Sequence, residues 1–147
     1  MDNLRTLLFG IQGRINRAKY WLAVLIMFGV LAIGLIGAAV IGIGNGVFIV
    51  LNPFLIATFV LLTWISLATG IKRLHDRNRS GWWLLALYVL PGVVNRIGLV
   101  YGSAGLFTLV CGLISLAIGV WGFVELGCLK GTTGSNAYGP DPRVPPI

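Results

Sequence analysis

The sequence predicts an all-α membrane protein: four transmembrane helices, a short N-terminal amphipathic helix and both termini cytoplasmic. Three observations carry this. Hydrophobic residues make up 57% of the 147 and charged residues only 10%, whereas a soluble domain carries roughly 25% charged residues. Mean hydropathy is +0.93, and the chain holds four nearly charge-free runs of about the length a spanning helix needs. The charges, net +7, gather in short stretches beside those runs. A balance this basic in a soluble protein would suggest nucleic acid. Charges placed beside apolar segments instead set topology and attract anionic headgroups, so no nucleic acid is expected.

Leu4, Leu7, Leu8 and Ile11 recur at i, i+3, i+4 and i+7, a short amphipathic helix suited to the membrane surface. Gly13 to Trp21 is basic and ends in Tyr20-Trp21. The first span is expected over 20–43. Gly44-Asn45-Gly46 is a turn signal, and the apolar 47–51 segment fits either a loop or an extension of a helix. Asn52-Pro53 reads as an N-cap followed by proline at the first helical position, opening the second span over 53–71. Lys72 to Gly81 is the second basic stretch, read as a loop. The third span is expected over 82–102. Pro91-Gly92 interrupts it, and Asn95 and Arg96 sit near its far end, so Pro91 to Gly105 fits either the end of a span or a re-entrant turn. A clean fourth span follows over 105–124, then a turn-rich tail over 126–147. The whole chain, 1–147, reads as one membrane domain.

Four spans put both termini on one side. Ten cations (Arg5, Arg14, Arg17, Lys19, Lys72, Arg73, Arg77, Arg79, Lys130 and Arg143) then share that side, opposite Arg96 alone. Cytoplasmic loops carry the excess of Lys and Arg, so that side is cytoplasmic. Tyr20, Trp21, Trp82 and Trp83 flank the basic stretches as interfacial aromatics do.

Gly34, Ala38, Gly42 and Gly46 recur every four residues. Small residues on one face let helix backbones approach closely, either within one protomer or across a homo-oligomer seam. Cys111 and Cys128 on a single helix would lie ~25 Å apart at 1.5 Å per residue, too far to bridge.

Three segments carry a resemblance. They are Gly13-Arg14-Ile15-Asn16-Arg17 running on to Tyr20-Trp21, then Lys72-Arg73-Leu74-His75-Asp76-Arg77-Asn78-Arg79-Ser80-Gly81-Trp82-Trp83, then Gly131-Thr132-Thr133-Gly134-Ser135-Asn136-Ala137-Tyr138-Gly139-Pro140-Asp141-Pro142. Together they resemble the DUF805 family of bacterial inner-membrane proteins, the YhaH-like group, over about residues 8 to 142. Ala137 stands where the family often carries a basic residue. The resemblance implies an inner-membrane, multi-pass location and no particular chemistry.

The candidate site is the basic face. Arg14, Arg17, Lys72, Arg73, Arg77 and Arg79 are expected to contact an anionic headgroup or a protein partner, while Asp76 and Glu125 are expected to form structural ion pairs. An acid at the C-terminal end of a helix opposes its dipole, so Glu125 needs a cationic partner. His75, Asp76, Glu125 and Cys128 show no metal-ligand spacing, and no Cys-x-x-Cys occurs. No metal, cofactor or catalytic residue is therefore expected, and His75 is expected to bond a backbone carbonyl. No phosphate-binding loop spacing is present. The tail is dense in turn formers and could fold back over the basic stretch. The leading expectation is a non-enzymatic membrane module engaging anionic lipid or a partner. A small oligomeric transporter or channel, and a lipid-headgroup enzyme using His75 and Asp76, are the alternatives.

Overall fold

A computed structural model describes residues 3–45, 52–102 and 105–144, with side-chain surroundings omitted for 41–45. Five α-helices follow one another: α1 (Leu4–Phe9), α2 (Arg17–Asn45), α3 (Pro53–Asp76), α4 (Trp83–Tyr101) and α5 (Leu106–Phe123), with a single π turn (Val124–Cys128) continuing α5. Among the described residues there is no strand, only an isolated bridge between Asn136 and Gly139. Four of these helices are long and apolar enough to cross a membrane. The chain divides into two compact units, one of residues 1–11 with 18–69 and the other of 12–17 with 70–147.

In the first unit, α1 is shorter than its apolar pattern. Gly10 closes it by donating to Thr6 O, and Leu7 is its buried residue. The small face of α2 meets α3 directly. A Cβ added at Gly34 would strike the Thr58 side chain, and one at Gly37 would strike the Phe54 ring. Asn52 is 2% exposed. Its side-chain oxygen accepts from Phe54 N at 3.0 Å and its amide donates to Ala38 O at 3.0 Å. One asparagine thus caps α3 and ties it to α2, which is why Asn-Pro opens this helix. Gly34 therefore packs inside the protomer, and the Ala38 carbonyl is held there by Asn52. The surroundings of Gly42, Gly46 itself and the 47–51 segment lie outside the described residues.

In the second unit, α4 and α5 form an antiparallel hairpin. Gly98 lies against Cys111 and Thr108, and Thr108 donates its hydroxyl to Gly98 O at 2.9 Å. The Ser115 hydroxyl sits 2.9 Å from both Pro91 O and Cys111 O. The helix passes through Pro91 without breaking and runs on to Tyr101. The backbone is therefore continuous helix from Trp83 as far as that residue, long and apolar enough for a span. Proline inside a membrane helix is tolerated where neighbouring helices and hydroxyls serve the disturbed backbone, and Ser115 stands at that turn. Trp83 and Trp121 meet edge to face at 5.7 Å. Cys111 and Cys128 are both free thiols, the first buried and the second exposed.

The largest departure from the expected layout is at the end of α3. The helix does not stop at Ile71 but runs to Asp76, so the first half of the second basic stretch is helical rather than loop. It ends in a Schellman arrangement: Arg79 N donates to Leu74 O and Asn78 N to His75 O, both at 2.9 Å, with Asn78 at φ +57°. Asparagine is one of the few residues other than glycine that adopts this conformation readily.

Candidate functional site

The extra turns of α3 place Arg73 and Asp76 on one helix face, and Arg14 reaches the same carboxylate from the segment preceding α2. Arg14 Nε and Nη2 lie 3.2 and 3.0 Å from Asp76 Oδ1, and Arg73 Nη1 donates to Oδ2. The side chains of Arg14, Arg73 and Asp76 are 1%, 0% and 5% exposed. Guanidinium carries five N–H donors, and Arg14 uses its whole fork. Beyond Asp76 it bonds Gly134 O (2.7 Å), Gly139 O (3.1 Å) and Thr132 O (2.7 Å). Arg73 also donates from Nε to Leu126 O at 2.7 Å and from Nη2 to Leu129 O, so each of its three nitrogens has a partner. A buried charge is tolerable only when it is paired and its donors and acceptors are filled. Among the described residues no buried side-chain polar atom lacks a partner.

The tail is built onto this centre. Thr132 N donates to Asp76 O at 2.8 Å, and Asn136 Nδ2 to His75 O at 2.9 Å. Both are terminal carbonyls of α3, which have no partner within the helix. Asn136 Oδ1 in turn accepts from Tyr138 N, and the Tyr138 ring stacks on His75 at 3.9 Å. Gly131 has to be glycine, because a Cβ there would run into the Asp76 carboxylate. Gly134 sits at φ +74° and donates its N–H to Asp141 Oδ2 at 3.0 Å. Bonds from the Arg143 side chain and backbone hold the Asp141 carboxyl well below the usual carboxylate range. The tail is therefore a folded cap on α3. Its key residues, Thr132, Asn136 and Asp141, were not singled out from the sequence. The signals for them were the density of turn formers and their place in the third of the segments that carry the resemblance.

Glu125 forms a second centre. The π turn buries it to 2% exposure, and its Oε1 accepts a hydrogen bond from Arg77 Nε at 3.1 Å and pairs electrostatically with Arg79, whose Nε lies 3.2 Å away. Carbonyls at and after the turn are taken by arginines as well: Cys128 O by Arg17 at 3.0 Å and Lys130 O by Arg77 at 2.8 Å. Cations at a helix C-terminus are favourable both as donors and against the dipole. His75 lies 3.2 Å from Gly13 O through Nδ1. A carbonyl only accepts, so Nδ1 carries the proton. Among the described residues no three of His, Cys, Asp and Glu come close enough to hold a metal ion.

The six cations expected on the headgroup face therefore separate into two groups. For Arg14, Lys72 and Arg73 the expectation is corrected. They are 7%, 3% and 0% exposed, and the two arginines are committed to Asp76 and backbone carbonyls. Arg17 is exposed, and Arg77 and Arg79 are half-buried. These three keep part of their guanidinium at the surface.

The chain is similar to known proteins over most of its length. YiiR of Escherichia coli, named an uncharacterized protein, is 31% identical over 144 residues, covering 91% of this chain and 86% of its own length. The E. coli inner membrane protein YhaI is 30% identical over 138 residues, covering 91% and 86%. The E. coli inner membrane protein YhaH is 29% identical over 142 residues, covering 93% and 90%. No solved structure matches the chain. The family model described as "Protein of unknown function (DUF805)" matches residues 8–140, a span that takes in Arg14, the Arg73–Asp76 turn, Glu125 and most of the folded tail, and the chain belongs to that family.

Proposed function

We propose that the chain is a multi-pass inner-membrane protein with a single membrane domain, both termini cytoplasmic, acting as a non-enzymatic module whose basic cytoplasmic face engages anionic lipid. The observation that carries this reading is the charge balance of the 12–17 and 70–147 unit near its membrane-facing ends. Arg14, Arg17, Lys72, Arg73, Arg77, Arg79, Lys130 and Arg143 stand against only Asp76, Glu125 and Asp141. The carboxylates are consumed internally, by Arg14 and Arg73, by Arg77 and Arg79, and by Arg143. Arg14, Lys72 and Arg73 are buried, and Arg17, Arg77, Arg79, Lys130 and Arg143 keep cationic surface, where each Lys or Arg attracts an anionic leaflet by ~1 kcal/mol. Both Asp76 oxygens are engaged by guanidinium groups, which favours a structural carboxylate over a general base.

Two measurements test this. Cys128 is exposed and Cys111 buried, so a membrane-impermeant maleimide should label Cys128 in inverted inner-membrane vesicles and not in intact spheroplasts. Labelling in spheroplasts would reverse the topology. Native mass spectrometry of the protein released with its own lipids should show anionic phospholipid retained in preference to zwitterionic. Equal retention would remove the lipid reading.

A further inference from the structure

One arginine at the surface is held in a way that the charge excess alone does not require. The Glu125 carboxylate, with its side chain 3% exposed, takes Arg79 by its Nε at 3.2 Å. That leaves both terminal nitrogens of Arg79 without a hydrogen bond among the described residues, on a side chain 36% exposed. The same guanidinium lies 5.3 Å from the centre of the Trp83 ring. Trp83 is itself fixed edge-on against Trp121 at 5.7 Å. Beside it Trp82 is 77% exposed at the start of a helix apolar enough to cross a membrane. Arginine's two terminal nitrogens match two phosphate oxygens, and the ion pair and the ring contact orient this guanidinium. Exposed indoles belong at the headgroup level of a bilayer.

We infer that Arg79, positioned by Glu125 and shelved on Trp83, binds the phosphate of an anionic phospholipid whose apolar portion lies along Trp82. The inference rests on the anionic-lipid reading above and places it at one residue. A free phosphate offers the same oxygens but nothing for the exposed indole, which is the reason for committing to the lipid. A zwitterionic headgroup brings an ammonium into a region already rich in cations, so it binds less well. Glu125 acts as a positioning residue: it fixes the fork and does not meet the ligand.

The test uses the full chain in nanodiscs of phosphatidylglycerol diluted in phosphatidylcholine, with retained lipid counted by native mass spectrometry. Wild type, Arg79→Ala, Arg79→Lys and Arg96→Ala are compared. Arg96 is exposed near the far end of α4 and controls for loss of one charge. Wild type and Arg96→Ala should retain phosphatidylglycerol equally. Arg79→Ala should bind it about five-fold more weakly, the ~1 kcal/mol expected per interfacial cation. Arg79→Lys, which keeps the charge but loses the fork, should fall between them. If Arg79→Ala melts lower than wild type, Arg79→Lys carries the comparison. Wild-type retention in both Arg79 variants overturns the site, and so does an equal loss in Arg79→Ala and Arg96→Ala. Displacement of the lipid by millimolar glycerol phosphate overturns the lipid assignment in favour of a soluble phosphate. A wild type with no preference for phosphatidylglycerol fails the broader reading instead.

Discussion

Replacing Arg14 with alanine is expected to release the C-terminal tail and to cost roughly 3–5 kcal/mol, the range for removing one partner of a buried ion pair. Arg14 joins three pieces of chain distant in sequence: the segment before α2, the end of α3 and the tail. Of the tail carbonyls it satisfies at Thr132, Gly134 and Gly139, only Thr132 O is reached by a second arginine, Arg143 at 3.3 Å. Asp76 keeps Arg73 in the variant, so the damage should concentrate in the tail. Limited proteolysis of detergent-purified protein should cut between residues 130 and 143 in Arg14→Ala at protease levels that spare wild type. Hydrogen exchange at the Thr132 amide, bonded to Asp76 O, should accelerate with it. Arg14→Lys should recover little, because an ammonium offers three donors where the site uses five. A tail as protected in Arg14→Ala as in wild type would mean that the hydrogen bonds between the tail and α3 suffice alone.

Asp76→Asn is expected to cost at least as much, about 3 kcal/mol or more, and to act elsewhere. The substitution keeps the shape and removes the only carboxylate between two guanidinium groups whose side chains are 1% and 0% exposed. Two cations are then buried side by side with no counter-charge. Arg73 cannot retreat to solvent without giving up Leu126 O and Leu129 O. The lesion therefore reaches the π turn after α5 as well as the tail. A thermal melt in detergent should shift further for Asp76→Asn than for Arg14→Ala. Combining Arg14→Ala with Asp76→Ala should cost clearly less than the sum of the two single changes, since the partners contact each other. Additive single effects would show that the pair does not act as a unit. Asp76→Asn is thus a folding variant first, and any change in lipid retention it causes has to be read after its stability.

Much of the architecture was legible along the chain. In a bilayer every backbone polar group must be satisfied within its own segment, so run length and hydropathy nearly determine the four long helices. Asn52-Pro53 opened α3 as its local chemistry dictates. The Gly34 face could be recognised as a packing face but not assigned a partner. Only the fold shows Thr58 and Phe54 of the same chain against α2.

The basic stretches were the least legible part, because charge in sequence says how many cations share a side and nothing about which are buried. Arg73 and Arg79 look equivalent in the string Lys72 to Arg79. The continuation of α3 to Asp76 puts Arg73 on the interior face at i−3 from its carboxylate, and the αL turn at Asn78 carries Arg79 out to the surface. Likewise nothing local distinguishes Arg14 from Arg17, yet the first is filled by Asp76 and three tail carbonyls and the second reaches one carbonyl. The sequence by itself determined a helical chain with four runs apolar enough to cross a membrane and most of its cations gathered in short stretches beside them, because hydropathy and charge are additive along the chain. Only the tertiary structure decided that Arg14 and Arg73 hold the fold while Arg79 remains open, because a buried charge is stable only where distant segments bring it a carboxylate and the carbonyls to fill its donors.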